Sequence, residues 1–227
     1  MSTTTSAGLR AIGQHPSVVL LIAQLVFVLI YPFLDHSTVG RAVLGVVQMA
    51  VVLIAAWAVR STPVLSWVAV VLGAPAMALT IAEALSPEVE AIVLASAAFH
   101  VPFYFFVSYA MVRYLFEDDE VTRDELYAVG AAFTVVAWAF AYVYAAAQVI
   151  WPGSFIGYGT DAGSDVSWFE LLFLSFTTLT SVGLSDVYPV LDHARSLVMV
   201  EQVAGVLYVA LVITRFVGLT GTRHSRR

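Results

Sequence analysis

The chain has 227 residues, of which 60% are hydrophobic and only 11% are charged, and its mean hydropathy is +0.89. A water-soluble domain of this length does not have such a composition, so the sequence indicates an integral membrane protein. The formal net charge is −6, cysteine is absent, and all ten basic residues are arginine. The missing cysteines exclude disulfides, and the missing lysines exclude a pigment that holds retinal on a Schiff base.

Six apolar stretches are long enough to cross a bilayer, which takes roughly 20 residues. In chain order they are residues 17–34, 42–59, 61–85, 89–112, 125–151 and 194–219. The polar residues 1–16 precede the first stretch, which is long for the apolar core of a cleaved signal peptide and is followed by no small-x-small cleavage site. We therefore interpret 1–16 as a cytoplasmic N-terminus and the first stretch as a spanning helix.

The first four stretches form one predicted module, 17–116. Pro75 and Pro102 fall inside its apolar runs and predict kinks. His100 also lies inside an apolar run, where it could sense protons or bend the helix, although a buried histidine satisfied by its neighbours is the more common situation.

A charged elbow, 117–124, leads into the second module, 125–220. Thr122 is a predicted N-cap, because Asp124 and Glu125 follow it in the first turn, where acidic residues suit the helix dipole. The outer helix of this module is predicted over 125–151. A glycine-rich, exposed loop follows it, and the polar tail 221–227 ends the chain.

Between the last two spanning stretches lies a shorter apolar segment, 171–185, which is too short to cross a bilayer. It contains a run of hydroxyl residues and then Val182, Gly183 and Asp186. Irregular backbone at membrane depth is tolerated only where it is buried in protein or lines a water-filled path. The pattern predicts a re-entrant helix over 166–179, followed by a turn that lines such a path.

The turn sequence at 180–186, Thr-Ser-Val-Gly-Leu-Ser-Asp, resembles the selectivity filter of the potassium-channel superfamily, which reads Thr-Val-Gly-Tyr-Gly-Asp. Tyr188-Pro189, Arg195 and Gly205 also fall at the family's offsets. The resemblance covers 125–220 well. Residues 17–116 match only in general plan, at the position of a voltage sensor, and their fourth helix offers only Arg113 where several charges are needed.

The resemblance implies an all-α membrane protein with six spanning helices, a pore helix at 166–179, a filter at 180–186 and an inner helix at 194–219. Four copies would surround one pore. The filter carbonyls would replace the hydration shell of a potassium ion. The implied site residues are Thr180, Ser181, Val182, Gly183, Leu184 and Ser185 as ion-binding residues, Asp186, Thr177, Thr178 and Glu201 as filter support, and Gly205 as a gating hinge.

Several of these assignments have alternatives. Gly205 could instead mark a close contact between helices. Glu201 could brace the pore helix by hydrogen bonds to Thr177 or Thr178, or it could line the cavity. Leu184 replaces an aromatic residue of the family. Ser185 replaces a glycine, and a serine with positive φ there would cost about 1 kcal/mol. A weakly selective sodium and potassium channel, or a non-conducting subunit with the pore fold, therefore remains open.

The distribution of arginines predicts the orientation. Seven arginines fall in the segments that are cytoplasmic if the N-terminus is inside, and two fall outside. We therefore expect both termini in the cytoplasm of a bacterial-type inner or plasma membrane. We expect passive conduction rather than an enzyme, no cofactor beyond a monovalent cation (potassium first, sodium as the alternative), and only membrane lipid and other copies of the chain as partners. Neither a nucleic acid nor a soluble ligand domain is expected.

Overall fold

The computed structural model describes residues 16–58, 63–87, 89–116, 122–157 and 165–225. Helices make up most of this part of the chain. They are α1 (Pro16–Leu34), α2 (Thr38–Ala58), α3 (Pro63–Leu85), α4 (Glu90–Leu115), α5 (Arg123–Ile150), α6 (Trp168–Leu179) and α7 (Asp192–Ser225). Two strands, β1 (Phe155–Gly157) and β2 (Val187–Pro189), lie on either side of α6 in the sequence.

Five of the helices in this described part are long and apolar enough to cross a membrane, namely α1, α3, α4, α5 and α7. Helix α2 coincides with the second predicted span, but the apolar stretch among its described residues, Thr38–Val51, is shorter. The count of six spans thus remains a prediction, while the all-helical membrane architecture agrees with the sequence. Pro75 and Pro102 lie inside α3 and α4, where the sequence places them.

Helix α5 lies at the centre of the subunit. It packs against α4, α1 and α6, and 61% of its apolar window is buried, compared with 17% for α7. Much of its buried surface is alanine, including Ala128, Ala131 and Ala132. Small side chains allow helices in a membrane to approach closely, because association there depends on packing rather than on the exclusion of water. The first module therefore packs directly on the outer helix of its own chain.

Hydrogen bonds at its N-terminal end also fix α5 to α1. Thr122 caps α5 as predicted, since its hydroxyl accepts a bond from the Glu125 amide at 3.3 Å. The carboxylate of Asp124 turns towards α1, where it accepts bonds from the Ser17 amide at 3.1 Å and the Ser17 hydroxyl at 2.7 Å. A buried carboxylate at a helix N-terminus satisfies free amides and complements the helix dipole.

Strands β1 and β2 form a small antiparallel ladder that the sequence did not predict. Phe155 pairs with Pro189 and Gly157 pairs with Val187, and the Val190 amide donates to the Ser154 carbonyl at 2.8 Å. Strands of three residues are too short to show a period of two, so the pattern gave no signal. The ladder joins the segment before α6 to the segment after the turn.

Some predicted boundaries are different in the structure. Helix α7 continues to Ser225 rather than ending at 219, since no proline interrupts it. The predicted N-terminus 1–16 and elbow 117–124 lie largely outside the described residues, as do 158–164 of the exposed loop and the last two residues of the tail. The division into modules and their placement relative to the membrane remain predictions.

Candidate ion-conduction site

Helix α6 corresponds to the short helix predicted over 166–179, and its N-terminus has a capping motif. It begins at Trp168 rather than at 166, because Ser167 is its N-cap. Ser167 and Glu170 form a capping box, in which the Glu170 amide donates to the Ser167 hydroxyl at 3.3 Å and the Ser167 amide donates to the Glu170 carboxylate at 2.8 Å. The helix has 12 residues and is about 18 Å long, so it cannot cross a bilayer by itself.

The C-terminus of α6 closes in a Schellman motif, which shapes the candidate filter. The Ser181 amide donates to the Thr178 carbonyl at 2.9 Å, and the Val182 amide donates to the Thr177 carbonyl at 3.0 Å. The Gly183 amide also donates to the Thr177 carbonyl, at 2.9 Å. Thr177 and Thr178 thus hold the turn through their main-chain carbonyls. The sequence had suggested hydrogen bonding by their hydroxyl groups.

The residues of the turn are open to their surroundings in the single subunit. The exposed ones are Thr180, Ser181, Val182, Gly183 and Leu184. The side chains of Val182 and Leu184 are 67% and 76% exposed, although both are apolar. Gly183 has a positive φ, +66°, and apart from its chain neighbours no residue has an atom within 4 Å of where a Cβ would stand. The turn therefore offers an unpartnered apolar and carbonyl-bearing surface to whatever lies next to it.

The backbone strain expected at Ser185 is located at Ser181 instead. Ser181 has φ +59° and is the one residue other than glycine with positive φ among the residues described. Ser185 avoids that region, and its hydroxyl accepts a hydrogen bond from the Val187 amide at 3.1 Å. The Schellman motif at the end of α6 places the left-handed residue, Ser181, directly after the cap. Asp186 follows, with its side chain exposed.

Glu201 of α7 is fully buried and joins three helices behind the turn. Tyr144 of α5 donates to one of its carboxyl oxygens, and Ser175 of α6 donates to the other. The Ser175 hydroxyl also lies 2.9 Å from the Ala137 carbonyl of α5. The predicted partners, Thr177 and Thr178, are therefore wrong. Ser175 and Tyr144 were missed, although polar groups within apolar helices are expected to find one another.

Gly205 lies where α7 crosses the end of α6. A Cβ at this position would stand 2.1 Å from the Leu179 carbonyl oxygen, which is backbone and cannot turn aside. The absence of a side chain thus permits the close helix contact that the sequence offered as one alternative. Helix α7 runs through Gly205 without interruption, and the hinge role remains a prediction.

Most of the described large apolar side chains of α7 are exposed in the single subunit. Its large side chains that are at least half exposed are Met199, Val200, Val203, Val206, Leu207, Leu211, Ile213 and Val217. On its opposite side, the Tyr208 hydroxyl donates to the Val129 carbonyl of α5 at 2.6 Å. The helix therefore has one side attached to the subunit and another side open beside the exposed turn.

Comparison with known families gives a match in this half of the chain. Residues 130–220, which include three quarters of α5, all of α6 with its turn and most of α7, match the family model described as "Ion channel". No curated protein and no solved structure matches the chain. Since 130–220 is less than half of the chain, the match supports an ion channel through its pore-like segment. Long apolar helices on both sides of that segment agree with a membrane location.

Proposed function

We propose that four copies of this chain form a cation channel that conducts potassium passively. The observation that supports the proposal is a short apolar helix that ends in an exposed turn and lies between two long apolar helices, mostly within the segment that matches an ion-channel family. One copy supplies one quarter of a ring of carbonyls. Closed rotational symmetry then gives the four-fold pore.

The end of α6 suits a dehydrated cation. The C-terminal end of a helix carries a partial negative charge, and the carbonyls of the turn that follows it can replace water around an ion. The ion-binding residues that we propose are Thr180, Ser181, Val182, Gly183, Leu184 and Ser185. Asp186, Thr177, Thr178 and Glu201 would support them, and Gly205 would bend α7 for gating.

A weakly selective channel for sodium and potassium is the second candidate. The Ser185 hydroxyl favours this candidate. It accepts a hydrogen bond from the amide of Val187, the first residue of β2, and so ties the outer end of the proposed filter to that strand. Leu184 offers no hydroxyl that could bond to a neighbouring pore helix. The inner carbonyls, from Thr180 to Gly183, would then bind ions alone, and fewer sites discriminate less well between two monovalent cations.

The first experiment is a flux assay with purified full-length protein in liposomes, in which potassium and sodium gradients are compared. Potassium flux that barium blocks, with little sodium flux, is the expected result. Similar fluxes of both ions would support the weakly selective channel. No flux of either ion from protein that is shown to be tetrameric would overturn conduction and favour a non-conducting subunit with this fold.

A paired substitution in the filter tests the second candidate directly. Ser185→Gly combined with Leu184→Tyr restores the sequence of the resembling family at the outer positions. If the outer end of the turn limits selectivity, the ratio of potassium to sodium flux rises in this variant. An unchanged ratio would mean that these two residues do not set selectivity.

A further inference from the structure

A cluster of polar and titratable side chains lies outside the candidate pore, between α3 and α4. It consists of Thr80, Glu83, Ser96 and His100. His100 is 1% exposed and lies ten residues from the start of α4, about 15 Å along the helix. Ionisable groups inside membrane helices are costly and are usually functional.

Each ring nitrogen of His100 has a defined partner. Nδ1 lies 2.8 Å from the Ser96 carbonyl, which can only accept, so Nδ1 carries a proton and donates it. Nε2 lies 3.0 Å from the Thr80 hydroxyl. That hydroxyl is also 3.0 Å from the Ala76 carbonyl, so its single proton has two alternative acceptors.

This arrangement satisfies the imidazole in two protonation states without moving a heavy atom. When the Thr80 hydroxyl donates to Nε2, His100 is neutral. When the same hydroxyl turns to donate to the Ala76 carbonyl, its oxygen can accept a proton from Nε2, and His100 is a cation. A histidine that only fills space needs one of these states. Here Thr80 and the Ser96 carbonyl can satisfy the hydrogen bonds of both the neutral and the cationic imidazole.

Glu83 supplies the balancing charge and the path to solvent. The Ser96 hydroxyl donates to the Glu83 carboxylate at 2.6 Å and lies 3.1 Å from His100 Nδ1, so one serine bridges the two ionisable groups. Glu83 is partly exposed and lies two residues from the end of α3. A metal ion is a poor occupant, because no group of three or more His, Cys, Asp or Glu side chains occurs in the described part of the chain.

The other groups around the imidazole are tyrosines and a neutral amide. His100 lies 5.6 Å from the Tyr104 ring of its own helix, and α2 contributes the Gln48 amide, which donates to the Tyr104 hydroxyl at 2.9 Å. The outer helix α5 contributes Tyr142. Tyr31 of α1 lies further away, with its ring 5.6 Å from that of Trp168. Asp35 and Arg41 act on Tyr31 from the turn beyond α1 and the first turn of α2. Among the residues described, Glu83 is thus the one carboxylate that is hydrogen-bonded to another member of the cluster.

The cluster is connected to the candidate pore helix through aromatic rings. The imidazole is stacked on Tyr142 of α5, with ring centroids 4.2 Å apart and planes inclined by 7°. Tyr142 in turn lies 5.5 Å from Trp168, the first residue of α6. A cation on one face of an aromatic ring is attracted to that ring, so charging His100 changes the force on Tyr142 and on what packs against it.

We propose that Glu83, Ser96, Thr80 and His100 form a proton-binding site that is coupled through Tyr142 to the candidate pore helix. The site takes one proton from water, which forms an N–H bond at Nε2 of His100, and the Glu83 carboxylate balances the imidazolium charge. The proton is held in the first module and acts on α6 at its N-terminus, away from the filter turn. Its effect on conduction rests on the proposed channel function, whereas proton binding does not.

Nitrogen NMR on full-length, ¹⁵N-histidine-labelled protein in lipid tests proton binding without any need for conduction. The imidazole signals that vanish in His100→Gln belong to His100. We expect them to change from the neutral to the cationic pattern between about pH 8 and pH 3, because burial disfavours the cation. In Glu83→Gln they should stay neutral over that range. Signals of His100 that do not change with pH in the unsubstituted protein would overturn the proposal.

The indole nitrogen of Trp168 reports on coupling to α6 in the same samples, after ¹⁵N-tryptophan labelling and assignment with Trp168→Phe. Its signal should shift over the same pH range, and the shift should vanish in His100→Gln and in Tyr142→Leu. A Trp168 shift that persists in His100→Gln would overturn the coupling. His36→Gln is the matched control, since it also removes a histidine of the first module, but one that is exposed in the turn between α1 and α2.

Potassium flux from liposomes, with the pH varied on both sides, gives the functional readout. We expect a change of about fivefold between pH 8 and pH 3 in the unsubstituted protein and in His36→Gln, but not in His100→Gln. Flux that depends on pH equally in His100→Gln would overturn the regulation of conduction. If no variant conducts, the channel proposal fails by itself, and the two NMR measurements still decide the proton site.

Discussion

At the scale of the residue, two glycines with positive φ allow the effect of a substitution on stability to be distinguished from its effect on ion flux. Gly183 in the turn has φ +66° and Gly153 after α5 has φ +78°, and neither has an atom within 4 Å of a Cβ position. Alanine at either position therefore costs about 1 kcal/mol through the same conformational preference. We expect both variants to lose similar stability, and only Gly183→Ala to lose potassium flux. Liposome flux and thermal unfolding measure the two effects, and equal flux in both variants would contradict a filter at Gly183.

Two serines of the turn differ in backbone conformation, and glycine should affect them in opposite ways. Ser181 occupies the left-handed position of the Schellman motif, with φ +59°. Ser181→Gly should raise the free energy of unfolding by about 1 kcal/mol, because glycine adopts this conformation without steric cost. Ser185 has no positive φ, so Ser185→Gly should give no gain and should remove the bond to the Val187 amide. Thermal unfolding of the two purified variants in one detergent tests this order, and a larger gain from Ser185→Gly would refute it.

The cluster around Glu201 joins α5, α6 and α7 and therefore belongs to the scale of elements. Glu201 is 0% exposed and is bonded to Tyr144 and Ser175. Glu201→Leu leaves both hydroxyl groups without this acceptor, and a buried polar group without a partner costs about 1–3 kcal/mol. We expect a loss of stability in that range, measured by thermal unfolding. Gln202→Leu is the control on the same turn of α7, because the Gln202 side chain is exposed.

A double-mutant cycle separates the bond from the packing. Tyr144→Phe removes the hydroxyl and keeps the ring, so it should cost stability in the unsubstituted protein and much less in Glu201→Leu. If the cluster positions α6, the ratio of potassium to sodium flux should also change in Glu201→Leu. Additive losses of stability would show that Tyr144 and Glu201 do not act together.

At the scale of the whole molecule, the open side of α7 should be the surface that joins one copy to another. Val206 of α7 and Val70 of α3 are both 59% exposed in the single subunit. Tryptophan at a lipid-facing position is tolerated, whereas in a helix interface its bulk disrupts packing between small and branched side chains. We therefore expect Val206→Trp to lose the tetramer and Val70→Trp to keep it. Native mass spectrometry of protein in lipid nanodiscs measures the subunit number, and a tetramer in both variants would exclude this side of α7 from the interface.

The sequence predicted the features that depend on long runs or on local chemistry. The apolar stretches, the short helix between the last two of them and the Thr122 cap all belong to this kind. It did not predict features that depend on distant segments meeting, such as the ladder of β1 with β2 or the bonds from Tyr144 and Ser175 to Glu201. The family resemblance also did not indicate that Ser181, rather than Ser185, has a positive φ, because this depends on how α6 ends.

Helix α5 is both the core of the subunit and the outer helix of the candidate pore, and this has a consequence for biogenesis. Because α1 and α4 pack on α5 of the same chain, a newly inserted polypeptide can complete most of its interior before it meets a second copy. Nothing in this packing requires subunits to exchange helices as they come together. Assembly would then be a docking of finished units, whose rate rises with their density in the membrane, and a defective copy could be removed before it enters a complex.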